Sequence, residues 1–296
     1  MRCIAAITLL LAISCASPLP DGKTVFISVA IGYGTEGSAN YLANPPSDQK
    51  ALSAQIRALS EGSGEEYEEY LFLEEDGIRS ISGQEAEWDH GDVLGTIRKL
   101  DTSPSDLIIF HYSGHGDESG SLVTDRDTSY RLPPDTLLDA LGSVPGCRCL
   151  FLDSCYSGAF IRGDKLADGE VFTEGNLASE SFVNSLLPSF ILSFSAGRMG
   201  NRGIWVLSAA TSGQASFDSW DEGLPGQDGY GAFTYYLASA LGYDMEMERA
   251  VLPPPGSSVT FYGLYRQIKD MMTASLWREA TPQVTLSPLD LLLFRL

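Results

Sequence analysis

Apolar residues along this chain fall into two kinds of run, continuous and helically spaced, and the two kinds take turns. TVFISVAIGYG, YLFLEEDG, DLIIFHYS, CLFLD and GIWVLSAAT are short continuous stretches, rich in β-branched and aromatic residues and ended by glycine, serine or acids. Such runs predict buried strands. Between and after them, SDQKALSAQIRAL, GDVLGTIRKL, TLLDALGSV, GAFTYYLASAL and FYGLYRQIKDMMTASLW carry apolar residues at three- and four-residue spacing. These predict helices, the first with Ser47 as its N-cap. The β-α-β-α-β-α-β order of the first half implies a parallel or mostly parallel sheet with helices on its faces. LDLLLFRL closes the chain as a last strand, at a sheet edge where it either pairs between subunits or is covered.

The pattern breaks twice. Arg2 precedes the apolar stretch Cys3 to Ile13, and small residues follow at Ser14, Cys15 and Ala16. That is the layout of an export signal, too short to span a bilayer. Cys15 after Leu-Ala-Ile-Ser resembles a lipoprotein site, although Ala12 stands where leucine is usual; membrane attachment through lipidated Cys15 and plain cleavage both stay open. Residues 1–15 are thus read as a signal, 16–22 as a short linker and 23–296 as one domain. The second break, 159–203, is polar and irregular, too long for an ordinary connection, and is read as a variable linker. No later segment resembles a membrane span; the stretch from Phe182 to Phe194 is interrupted by Asn184, serines and Pro188.

Charge narrows the partners. The chain of 296 residues carries 39 Asp and Glu against 19 Lys and Arg, a net charge of −20, which argues against a nucleic-acid partner because phosphate binding needs clustered cations. The acidity either steers cationic substrates or simply keeps the protein soluble. Glu65, Glu66, Glu68 and Glu69 read as a solvated face.

Two turns carry the candidate chemistry. The strand DLIIFHYS runs into Gly114-His115-Gly116, and CLFLD into Ser154-Cys155-Tyr156-Ser157-Gly158. In an open parallel sheet, chemistry gathers beyond the carboxyl ends of the strands, so His115 and Cys155 can meet there as base and thiol nucleophile. The glycines flanking His115 permit close backbone approach. The N–H groups of Gly116 and Cys155 could then form a two-donor oxyanion hole. His111 lies within its strand and reads as packed, and His90, in WDHGD, as solvated. With Cys3 and Cys15 set aside, Cys147, Cys149 and Cys155 remain, an odd number that leaves at least one thiol free or paired between chains. Zinc held by these cysteines and His115 is a rival reading without a CxxC pair behind it, so no metal site is assigned.

YSGHG and LDSCYSG, forty residues apart, resemble the two catalytic segments of the caspase-like cysteine peptidases, and the metacaspase branch with its bacterial relatives more than animal caspases, whose nucleophile sits in QACRG. VFISVAIGYG, LANPPSDQKAL, LSAATSGQASFDS, GAFTYYL and ATPQ resemble further family segments in the same order, so the likeness covers about residues 23–296. It implies a three-layer caspase-like α/β sandwich and a cysteine endopeptidase acting on protein or peptide substrates, with His115 as general base, Cys155 as nucleophile, and Gly116 and Cys155 as oxyanion donors. It further implies that Asp48, in the loop after strand one, lines the first specificity pocket with Ser113 and Asp153. Carboxylates there suit Arg or Lys, where animal caspases use arginines to hold Asp. Many metacaspases need calcium; Asp117, Glu118, Asp125 and Asp127 follow the histidine but form no recognisable Ca²⁺ loop, so no cofactor is assigned. Arg162, Lys165, Arg198 and Arg202 in the linker permit self-cleavage. A non-catalytic peptide-binding module and a zinc or redox protein are the alternative functions.

Overall fold

The computed structural model describes residues 22–125, 129–161, 204–211, 213–216, 229–272, 280–285 and 291–296. The export signal, the linker up to residue 21, the Phe182–Phe194 stretch, Asp127, the linker cations and nearly all of 159–203 lie outside these residues.

Five parallel strands make the centre of the molecule. They are β1 (Lys23–Ile31), β2 (Glu66–Glu75), β5 (Leu107–Ser113), β8 (Cys147–Asp153) and β9 (Ile204–Ser208). Antiparallel strands border them: β3 (Ile78–Ile81) and β4 (Gln84–Glu85) beyond β2, and β11 (Gln283–Val284) beyond β9, while β6 (Leu122–Val123) and β7 (Arg131–Leu132) pair separately. Among the described residues the order across this sheet is β11-β9-β8-β5-β1-β2-β3-β4. All seven residues of β5 are buried, as a strand with helices on both faces requires.

Alternation along the strands sorts side chains into two cores. Phe26, Leu107, Ile109, Cys149, Phe151 and Leu207 face α1 (Pro45–Gly62), α4 (Ala232–Leu241) and α5 (Phe261–Met271). Val25, Ile27, Ile108, Phe110, Leu150 and Val206 face α2 (His90–Arg98) and α3 (Pro134–Gly142). This is the expected three-layer α/β sandwich with a mostly parallel sheet. Each fully buried Leu, Ile or Phe contributes about 1.5–3 kcal/mol, and the two cores together hold the strand ends in register.

Several local expectations are corrected. Helix α1 begins at Pro45, with Asn44 as N-cap and two prolines in its first turn; Ser47 is inside the helix, and Asp48 sits in the first turn instead of the loop. Proline at these positions lacks an N–H that the helix start would leave unpaired anyway. The Glu65–Glu69 segment is no free acidic face: Glu66, Glu68 and Glu69 belong to β2, Glu68 pairs with Lys23, Glu69 with Arg57, and Glu65 accepts a hydrogen bond from Thr24. His90 opens α2, half-buried against Tyr130. The β2-β3-β4 hairpins were legible but unread: Asp76-Gly77 and Ser82-Gly83 both have positive φ at the two turn positions, the type I′ signature. The final strand, β12 (Leu292–Arg295), pairs with β10 (Ser258–Thr260) in a separate small sheet, and Leu293 and Phe294 are buried in the α1-side core. It is not an edge of the main sheet.

His111 is packed as expected. Ser28 lies 2.8 Å from its Nδ1, Nε2 is buried without a partner among the described residues, and burial lowers its pKa from 6.5 to about 3. Between pH 6.5 and 3 the unfolded chain therefore binds a proton here that the folded chain refuses. The stabilisation is complete above pH 6.5 and drains away as pH falls toward 3, by an amount on the order of 4 kcal/mol. A His111→Gln variant should lose less stability than the parent over this window in denaturant titrations; parallel pH dependences would contradict the assignment.

Candidate active site

Because β5 and β8 are parallel neighbours with Ser113 opposite Asp153, the turns that follow them emerge side by side. Gly114 N–H donates to Asp153 O at 3.2 Å and ties the turns together. Beyond this link they nearly touch: a Cβ on Gly116 would stand 2.1 Å from the carbonyl oxygen of Cys155. Glycine at 116 is a steric requirement of having both turns at one strand end. Tyr156, just after the cysteine, holds φ at 57° and donates its N–H to Gln214 O at 2.8 Å. A left-handed non-glycine residue costs about 1–2 kcal/mol, so the Cys155 turn is bent under strain and pinned from the far side.

His115 and Cys155 line one pocket of about 240 Å3, together with Leu42, Ser113, Gly114, Asp153, Ser154, Ser216 and Gly231. The histidine Nε2 lies 2.8 Å from Asn40 O, and its ring lies 4.5 Å from that of Tyr33. A carbonyl only accepts, so Nε2 carries the proton and Nδ1 is the basic nitrogen. Cys155 Sγ contacts the peptide groups of Ser216, 3.4 Å from its N and 3.7 Å from its O. Burial pushes the thiol above its ordinary pKa; the N–H groups of Ser216 and of Cys155 itself pull it down, while the Asp153 carboxylate adds to the rise. The resting sulfur is therefore a protonated thiol at neutral pH.

The predicted oxyanion donors sit where the turns meet. Around Gly116, the antiparallel bridge to Leu122 uses Val123 N–H to His115 O and Asp117 N–H to Ser121 O. Neither bond consumes the Gly116 N–H.

Asp48, Ser113 and Asp153 are brought together: Ser113 and Asp153 line the pocket, and Asp48 is buried next to Ser113. Ser113 Oγ donates to Asp48 Oδ2 at 2.6 Å and Gly231 N–H to Asp48 Oδ1 at 2.9 Å. Asp153 accepts from Ser216 Oγ at 2.8 Å, Thr234 N–H at 3.0 Å and Thr234 Oγ1 at 2.9 Å. These donors are hydroxyls and backbone N–H groups, and they fix the orientation of the carboxylate oxygens. A Cβ on Gly231 would stand 2.5 Å from Asp153 Oδ2 and 2.8 Å from Asp48 Oδ2, so the glycine makes room between the two carboxylates. Both acids are almost wholly buried.

Sequence reasoning assigned no role to Ser216, Gly231, Thr234 or Asn40. The motifs SGQAS and GAFTYYL mark where the first three lie, but nothing local says that their backbones close over Cys155 and Asp153. The zinc reading is corrected. Cys147 begins β8 and Cys155 lies two residues past its end, roughly 25 Å apart at about 3.3 Å per residue. Among the described residues no group of three His, Cys, Asp or Glu could hold a metal ion. Asp117 instead binds Arg131 and caps Ser119 and Ser121, and Asp125 accepts from Ser129.

A model of the caspase domain family matches residues 91–252, and the chain belongs to that family of cysteine peptidases. The match takes in His115, Cys155, Asp153, Ser216 and Gly231; Tyr33 and Asp48 precede it. The crystal structure of caspase-1 from Spodoptera frugiperda is among the solved structures similar to the chain, at 14% identity over 94% of this chain and 90% of that one, with a TM-score of 0.47. A comparison with curated proteins finds no match.

Proposed function

We propose that this chain is a cysteine endopeptidase that cuts after Arg or Lys, with Cys155 as nucleophile and His115 as its base. The observation that carries the specificity is a pair of buried carboxylates at the pocket: Asp153 lines it together with the sulfur and the imidazole, and Asp48 is hydrogen-bonded to two further lining residues, Ser113 and Gly231. Two like charges in a low-dielectric cleft repel each other, and a guanidinium or ammonium entering between them relieves that repulsion while forming charge-assisted hydrogen bonds. An acidic side chain would worsen it.

The chemistry follows from the protonation states. The thiol is protonated at rest, so attack on the scissile carbonyl needs Nδ1 of His115 to take the Sγ proton as the S–C bond forms. The negative charge that develops on the carbonyl oxygen is met by the N–H groups of Gly116 and Cys155. The imidazolium then protonates the leaving amine as the C–N bond breaks, and water, deprotonated by the same nitrogen, hydrolyses the thioester. Asn40 O holds Nε2–H throughout, which keeps Nδ1 as the working nitrogen.

Reporter peptides ending in Arg, Lys or Asp test the reading directly. Turnover of the Arg and Lys reporters by about 1,000-fold or more over Asp is expected, because the Asp side chain would be buried against two like charges. Cleavage confined to Asp would remove the pocket argument. A protein that turns over nothing and does not react with an arginyl chloromethyl ketone would instead be an inert peptide-binding scaffold.

A further inference from the structure

Against the peptide groups of His115, outside the pocket lining, two buried tyrosines meet. Tyr33 lies two residues past the end of β1 and Tyr112 lies within β5; both are packed in the α2-side core. Their hydroxyls are 2.9 Å apart. Phenylalanine would fill the same space and leave no polar atom to satisfy, so a buried hydroxyl is informative only through its partners. Here the partners belong to the histidine turn. His115 N–H donates to Tyr33 Oη at 2.8 Å, Tyr112 Oη lies 2.8 Å from His115 O, and both hydroxyls reach Val123 O, at 2.7 and 2.8 Å.

We propose that Tyr33 and Tyr112 are positioning residues for His115: the paired hydroxyls grip the histidine's peptide groups from inside the turn, and the Tyr33 ring sets the plane of the imidazole. The inference rests on the reading of His115 as the base.

Proton counting shows how the grip works. Tyr33 oxygen accepts from His115 N–H, and its own proton goes to Val123 O. Tyr112 gives its single proton to Tyr33 Oη, His115 O or Val123 O. Burial raises both phenols above their ordinary pKa, so both protons stay in place. The turn is shaped to admit these hydroxyls, because a Cβ on Gly114 would stand 2.8 Å from each of them. That explains a glycine before the histidine as well as after it. Tyr33 itself is held in a left-handed conformation with φ of 58°, a strain of about 1–2 kcal/mol. Its neighbours are anchored: Gly32 N–H donates to Glu74 O at 2.9 Å, and Gly34 N–H to Glu74 Oε1 at 2.7 Å. The loop that carries Tyr33 also carries Asn40, so one segment sets the imidazole plane and takes its Nε2 proton.

The two hydroxyls are not equivalent. His115 O has a second donor, Val123 N–H at 3.0 Å, whereas Tyr33 is the partner described for His115 N–H. Loss of the Tyr33 hydroxyl strands a backbone donor; loss of the Tyr112 hydroxyl leaves the carbonyl served.

Tyr33→Phe, Tyr112→Phe, His115→Ala and the two combinations with His115→Ala should be assayed on an Arg reporter, with thermal melts to register folding. Tyr33→Phe is expected to lower kcat by about 10- to 100-fold, the scale of an ångström-level misplacement, with KM within about twofold. Tyr112→Phe should lower it by less, about 3- to 10-fold. In the His115→Ala background neither change should move the residual rate by more than about twofold, because there is no imidazole left to position. A kcat unchanged in Tyr33→Phe while His115→Ala is inactive would overturn the proposal. So would equal losses in both backgrounds, which would mark a purely structural role. Full activity in His115→Ala would instead overturn the base assignment, and the proposal with it. Should Tyr33→Phe fail to fold, Tyr112→Phe carries the same comparison at its smaller magnitude.

Discussion

His115→Ala is expected to lower kcat on an Arg reporter by about 10,000-fold at pH 7, and to leave a residual rate that climbs about tenfold per pH unit through pH 9. Both outcomes come from the state of the sulfur. Burial and the Asp153 carboxylate raise the Cys155 thiol above its ordinary value, and the Ser216 N–H only partly offsets them. Unlike a thiolate already ionised at rest, such a thiol must hand its proton to a base during attack. With His115 present, Nδ1 supplies that base. Without it, only the thiolate fraction reacts, and below the thiol pKa that fraction rises tenfold per unit of pH. Initial rates between pH 6 and 9 check this; a flat profile in His115→Ala would mean that another group ionises the sulfur. Cys155→Ala should abolish turnover at every pH, since no other sulfur lies near the pocket among the described residues.

Asp153→Asn is expected to cut kcat/KM for Arg reporters by about 100- to 1,000-fold, and the double change with Asp48→Asn by about 1,000-fold or more. Asparagine nearly preserves shape and keeps an oxygen for Thr234, so the loss isolates the charge. Asp153 is the more consequential of the pair because it also receives Ser216 Oγ, whose N–H contacts the nucleophile. Neutralising it also relaxes the upward push on the thiol, so alkylation of Cys155 by uncharged iodoacetamide should quicken even as Arg turnover slows. The opposite movement of two rates at one site separates loss of specificity from general damage. Unchanged selectivity between Arg and an uncharged reporter residue would show that the carboxylates face something other than the substrate.

How far the sequence carried these assignments varies from residue to residue. His115 and Cys155 were legible because each ends a continuous apolar run at a glycine-rich turn, and parallel strands deliver such turns to one edge. Asp153 was legible for a similar reason: it is the last residue of β8, and strand alternation puts it on the same face as Ser113 opposite it. Asp48 was matched only by resemblance; the predicted helix, capped by Ser47, already held it, and the observed start at Pro45 differs only by including the two prolines in the first turn. The hairpins after β2 were missed although EEDG announced the first of them. Ser216 and Tyr33 could not have been assigned from their neighbours in the chain. A serine after a strand and a tyrosine before a glycine are common, and their partners lie 61 and 82 residues away.

Local pattern was enough to specify the alternating elements, the parallel sheet and the two turns that carry His115 and Cys155 to one sheet edge, because periodicity, glycine placement and strand burial act over a few residues. It could not say where the chain's last strand would dock, which peptide would lie against the sulfur, or that a phenol from β5 and one from the loop after β1 would meet the peptide groups of one histidine. Those outcomes depend on contacts between segments far apart in sequence. Each is selected by the requirement that polar groups carried into the interior find partners there, and only the assembled chain supplies them.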